Sequence, residues 1–334
     1  MILNSLMDKD VQSMLLPLNI MQHIMLCPKY RIKNNLIIPN CLLSNFISAV
    51  GTLVFILTFI NHVYLICAFK DNLGITTFMC FVSYFDCIYY SFGFIINFII
   101  GLIYTKKSIK FVLTFQRVHR ILNDETKFKR CVMFNWVFVM LTLGSYLIIF
   151  TYFCVQLASF KALFNEYFLV FFDLNNVCAI RIFNMLEDKV ILWNNRVLCS
   201  QKSERAHNPS YSSQLFQAYV NIIDYCKKLF QAYVDILQCY HIFNTCFQQF
   251  VSTIFFLAQQ YHHLLTKQNF SATITSLTIL WWMIKNLSWQ LLFMQQCEKF
   301  YLTIESTQDS CAVILKSACS GNITIISCTT NLTA

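Results

Sequence analysis

Five ionisable residues stand inside long apolar runs of this chain: Asp86, Glu166, Asp173, Arg181 and Lys285. A charge facing hydrocarbon costs about 2.5–3.5 kcal/mol even on insertion scales, so such residues turn toward one another or toward a cavity. Asp86 and Asp173 each lie about eleven residues, roughly 17 Å at helical rise, below the start of their runs, and Lys285 lies about fifteen, roughly 22 Å. Aromatic residues accompany them, among them Tyr89, Tyr146, Tyr167, Tyr261, Trp281 and Trp282. An apolar, aromatic cavity with a few polar groups suits a small organic ligand. The candidate ligand pocket is therefore Asp86, Tyr89, Tyr146, Tyr167, Asp173, Tyr261, Trp281, Trp282 and Lys285. The competing reading is an Asp86–Lys285 pair that holds the fold together and binds nothing.

Bond-making chemistry has no such foothold. There is no His-Glu-x-x-His, no Gly-x-Ser-x-Gly and no phosphate-binding glycine loop, and the chain has only 6 Gly. The 16 Cys are scattered, mostly within apolar runs, with no C-x-x-C among them, so they read as small core residues with free thiols. His262 and His263 are adjacent and point to different helix faces, which argues against a metal site. The sequence reads as a non-enzyme without cofactor or metal.

The elements that must position these residues are membrane helices. The chain has 334 residues, of which 57% are hydrophobic and 12% charged, with 33 Phe. A soluble fold of this size could not cover so much apolar surface. Crossing hydrocarbon about 30 Å thick needs roughly 20 mostly apolar residues. Six runs qualify: Phe46–Phe69, Ile75–Tyr104, Cys131–Val155, Leu163–Ile182, His241–Leu264 and Phe270–Met294. The net charge of +9 does not imply nucleic acid, because the basic residues cluster in loops between the runs. From the N-terminus onward the segments between the runs carry four, one, eight, one, six and one Lys or Arg. The positive-inside rule then places the N-terminus and the second and fourth loops in the cytoplasm. The expected fold is an all-α polytopic membrane helix bundle with six spans and cytoplasmic helical extensions. Residues 1–45 form its cytoplasmic N-terminal segment, 46–298 the bundle and 299–334 a C-terminal tail.

One extension is conspicuous. The hexapeptide Leu-Phe-Gln-Ala-Tyr-Val occurs at 215–220 and again at 229–234, two heptads apart. Leu215, Tyr219, Ile222, Leu229, Tyr233 and Ile236, with Cys226 between Ile222 and Leu229, fall on one stripe in alternating steps of four and three. The opposite face is polar, so 213–240 reads as a water-exposed amphipathic helix leading toward the fifth run. Its stripe needs protein partners, either other extensions or further copies of the chain.

Several features together resemble the insect gustatory receptors of the seven-span chemoreceptor superfamily. They are Leu15-Leu16-Pro17-Leu18 leading to Pro28-Lys29-Tyr30, the basic second loop, Leu192-Trp193-Asn194-Asn195-Arg196-Val197-Leu198, the long helix entering the fifth run at Tyr233–Phe247, and Cys297-Glu298 and Leu315-Lys316 after the sixth. The resemblance spans residues 12 to 316. It implies a subunit of a ligand-gated non-selective cation channel for small tastants, in the plasma membrane of sensory neurons, assembled as a homo- or hetero-tetramer. The family's seventh span, with its Thr-Tyr…Gln-Phe motif, has no counterpart after Glu298, which implies a truncated chain that does not conduct alone. An odorant receptor of the same superfamily is the near alternative. A small multi-span transporter is the alternative of another class, but inverted repeats and Gly/Pro-broken spans are both absent. A G-protein-coupled receptor would put its N-terminus outside and carry Asp-Arg-Tyr after the third span.

Overall fold

The computed structural model describes residues 6–68, 77–157, 160–201, 217, 219–220 and 270–319. In order these form α1 (Lys9–Ile24), β1 (Arg31–Lys33), β2 (Leu36–Ile38), α2 (Leu42–Ala68), α3 (Thr77–Ile121), α4 (Glu125–Leu157), α5 (Phe160–Gln201) and α6 (Phe270–Cys319). Three of the described helices contain stretches long and apolar enough to cross a membrane: Leu42–Leu65, Ser83–Ile121 and Glu125–Ile148. They correspond to the first three expected runs. The fourth run lies within α5 and the sixth within α6, while the fifth, His241–Leu264, lies outside the described residues.

The helix directions follow from which side chains meet. Phe55 packs on Phe94, and Phe59 on Tyr90, both with ring centroids 5.6 Å apart. One number rises as the other falls, so α2 and α3 are antiparallel. Asn135 of α4 reaches Arg181 of α5, which makes that pair antiparallel as well once Tyr146 is placed near Asp173. In α5 and α6 the numbers rise together: Asp173 meets Lys285, Phe183 meets Phe293, and Glu187 meets Gln296. These two helices are parallel and start at the same end of the bundle.

The bundle has two storeys. At helical rise the 45 residues of α3 measure about 68 Å, twice the thickness of hydrocarbon. The first storey has apolar side chains on its outside: Phe46, Ile88, Ile103, Leu141 and Ile148 are all more than 60% exposed. So large an exposed apolar surface marks contact with lipid or with further protein. In the second storey the apolar groups turn inward. Val112, Leu122, Trp193 and Val197 are fully buried there, with Val11 and Met21 of α1. The segment expected as a basic second loop is therefore mostly helix, with only residues 122–124 between α3 and α4. Phe111, Phe115, Val118 and Leu122 recur at helical spacing and anchor it. The expected domain boundary at 298–299 likewise falls inside a continuous helix, since α6 runs on to Cys319.

Helix α1 closes the second storey. It ends in a six-to-one and five-to-two hydrogen-bond pattern: Cys27 N donates to Gln22 O at 3.0 Å and Leu26 N to His23 O at 3.1 Å. Leu26 takes the left-handed conformation, φ 56°, a position that glycine usually fills. The chain then forms a hairpin whose two-residue turn is Asn34-Asn35, both at positive φ, 52° and 58°. Asn tolerates that conformation, and such turns match the twist of paired strands.

Candidate functional site

Where α4, α5 and α6 meet in the first storey, Lys285 Nζ donates to Asp173 Oδ2 at 2.6 Å and to the Tyr146 hydroxyl at 3.2 Å. The Lys285 and Asp173 side chains are only 11% and 6% exposed. The ammonium also lies 5.7 Å from the centre of the Trp281 ring and 5.6 Å from that of Tyr146. One turn of α6 places Trp281 and Lys285 on the same face, four residues apart. The arrangement is a buried ion pair beside two aromatic rings. It holds no nucleophile beside a base, and among the described residues no group of His, Cys, Asp and Glu is placed to hold a metal.

Of the sequence-expected pocket residues, this meeting point gathers four: Tyr146, Asp173, Trp281 and Lys285. The side chains of Asp86, Tyr89, Tyr167 and Trp282 lie outside the described residues, as does Tyr261. Lys285 pairs with Asp173, because α5 and α6 pack against each other and carry the two charges at the same depth; the expected Asp86–Lys285 pair falls on a side chain outside the described residues.

Arg181 belongs to a different network. Its Nε donates to Asn135 Oδ1 at 2.6 Å, and its guanidinium lies 5.2 Å from the centre of the Phe138 ring. Asn135, fully buried, donates in turn to the Met14 carbonyl of α1 at 2.7 Å. Asn135 escaped the reading of the sequence because only ionisable groups were sought within apolar runs.

The second storey is tied down by charges on backbone. The last carbonyls of α3 have no partner within the helix. Lys189 Nζ donates to Leu122 O at 2.9 Å, and Arg196 to the carbonyls of Ile121 and Asn123, all from α5. Positive charge at a helix C-terminus is favoured by the macrodipole as well. Lys189 also donates to His119 Nδ1 at 2.8 Å, which fixes the neutral tautomer with its proton on Nε2. Burial, and then the Lys189 charge, push the His119 pKa down to about 4, while burial pushes Lys189 down to about 8. Asp8 takes both Nε and Nη2 of Arg120 at 2.7 Å, fastening the start of α1 to α3.

Of the stripe expected for assembly, Tyr219 alone is among the described residues. It is buried and stacks on Trp193, centroids 4.6 Å apart and planes 26° apart. Leu215, Ile222, Leu229, Tyr233 and Ile236 lie outside them. No family model matches the chain, and no curated protein and no solved structure matches it.

Proposed function

We propose that the chain is a multi-span chemoreceptor subunit that binds a small organic ligand among Tyr146, Asp173, Trp281 and Lys285, and that it acts in a ligand-gated cation channel of the insect gustatory type. The observation that carries the reading is the Asp173–Lys285 pair with its aromatic walls, placed within an apolar storey where an ion pair is rare and functional by default. Six crossings with a cytoplasmic N-terminus fit the distribution of bases. They also fit the parallel α5 and α6, because two helices that start at the same end need an odd number of crossings between them. The stacking of Tyr219 on Trp193 supports a stripe that docks on neighbouring helical extensions.

The purified chain is screened in detergent against a panel of small tastants by thermal shift. A ligand that stabilises the wild type and leaves Asp173→Asn and Lys285→Gln unmoved is expected. A ligand that shifts all three equally binds elsewhere. A glycosylation tag in the 122–124 connection tests the orientation, and modification there would overturn it. Sealed vesicles separate the class of function: accumulation of labelled ligand inside them would make the chain a transporter.

A further inference from the structure

Between Asp10 and Asp71 the chain has no Asp or Glu, yet that stretch carries Lys29, Arg31 and Lys33. The left-handed end of α1 and the hairpin after it bring one of these, Arg31, to the point where α2 begins. There a groove of about 220 Å³ opens, with His23 and Arg31 on one wall and Leu43, Ser44, Ile47 and Ser48 on the other. Arg31 Nη1 donates to Cys41 Sγ at 3.0 Å, and among the described residues it pairs with no carboxylate. The groove runs out onto an apolar stripe of α2. Leu43, Ile47, Val50 and Val54 share one helix face and are 67%, 46%, 42% and 41% exposed.

The geometry points to a binding site for an anionic phospholipid at this groove, with its phosphate held by Arg31 and its acyl chains laid along Leu43–Val54. Three observations exclude other occupants. Its volume falls below the roughly 300–1,000 Å³ of an enclosed ligand pocket, so it suits a headgroup. Its floor continues into the surface of a helix long and apolar enough to span a membrane, which a water-borne peptide cannot reach. Its charge is positive and uncompensated, which selects against neutral and zwitterionic lipids. The serine hydroxyls at positions 44 and 48, one turn apart, stand where phosphate oxygens would accept from them. The site rests on α2 spanning a membrane and is independent of the receptor reading.

The test uses the full chain purified in neutral detergent. Mixed micelles containing phosphatidylserine or phosphatidylcholine are offered in turn, and retained lipid is counted by native mass spectrometry. The wild type is expected to retain phosphatidylserine in preference. Arg31→Gln should weaken that preference about fivefold, as expected for one base at a membrane surface, where each is worth about 1 kcal/mol. Arg117→Gln removes the same charge from the exposed face of α3 and should leave it unchanged. Ser44→Asp places a carboxylate in the groove beside Arg31, and should abolish the preference even where Arg31→Gln folds poorly. Equal retention of both lipids by the wild type, equal loss in Arg117→Gln, or full displacement by inorganic phosphate would each overturn the site. Release of the chain from membranes by alkaline carbonate would instead refute the membrane reading beneath it.

Discussion

Removing Asp173 is the sharpest perturbation of the candidate site. Asp173→Leu removes the carboxylate oxygen 2.6 Å from the buried Lys285 ammonium and keeps the Tyr146 hydroxyl at 3.2 Å and the Trp281 ring at 5.7 Å beside it. Breaking a buried pair by deleting one partner costs about 3–5 kcal/mol, because a charge remains without its counter-charge. The remaining hydroxyl and ring place this case near the lower end, about 3 kcal/mol. Lys285→Leu strands the carboxylate, which has no second partner of that strength among the described residues, and should be at least as severe. The double variant buries two leucines face to face, and such replacement is neutral or stabilising in comparable pairs. A cycle of the four proteins, read as thermal midpoint in detergent and as yield in the membrane fraction, should give a coupling of about 6 kcal/mol in favour of the double variant, the sum of the two single losses set against a neutral double. Losses in the double variant equal to the sum of the single losses would refute the pairing, whatever the distance between the atoms.

Trp193→Ala removes a fully buried indole and the ring on which Tyr219 stacks, so it should destabilise by about 3–5 kcal/mol and make the chain near residue 219 newly sensitive to protease. Stability should fall on the acid side: His119 holds a pKa of about 4 in the fold against 6.5 in the unfolded chain. The unfolded state alone takes the proton between those values, so the stabilisation is complete above pH 6.5 and is lost as pH falls toward 4, by about 3 kcal/mol in all. Denaturant midpoints of wild type and His119→Gln over that window check it, and equal slopes would remove His119 as the cause. Asn35→Val sets a β-branched residue at φ 58° and should cost about 1–2 kcal/mol by thermal midpoint, while Asn35→Gly should not.

The long elements were legible because each needs only an apolar run of sufficient length, and α2, α3 and α4 lie where the runs lie. Depth along a run was legible too, which is how Asp173 and Lys285 entered the pocket together. The identity of the pair was not. Counting residues gives depth without giving which helices are neighbours, and Asp86 and Asp173 lie at equal counted depth. The basic residues of 105–121 concealed a helix, although Lys and Arg are good helix formers and Phe111, Phe115, Val118 and Leu122 carried its period. The hairpin at 31–38 is three residues a side, too short for strand alternation to register. Its one signal was Asn34-Asn35 between Arg-Ile-Lys and Leu-Ile-Ile.

The way the helices are fastened decides which of them can respond to a ligand. Helix α5 is fixed to α3 through backbone: Lys189 and Arg196 hold three successive carbonyls at the end of α3, and those bonds have one register. It is fixed to α1 and α4 through Arg181 and Asn135. Helix α6 is held to α5 by side chains: the Lys285–Asp173 pair, the Gln296–Glu187 hydrogen bond at 2.6 Å, and the rings of Phe293 and Phe300 on Phe183. Ring contacts tolerate sliding, and a glutamine can follow a carboxylate through a rotamer change. Among the described contacts the ion pair is the one most particular about the register of α6. On the function proposed above, a ligand that parted Lys285 from Asp173 would loosen α6 and leave α5 in place. Since α6 is one unbroken helix from Phe270 to Cys319, its displacement at Lys285 is carried to the second storey as a rigid-body movement.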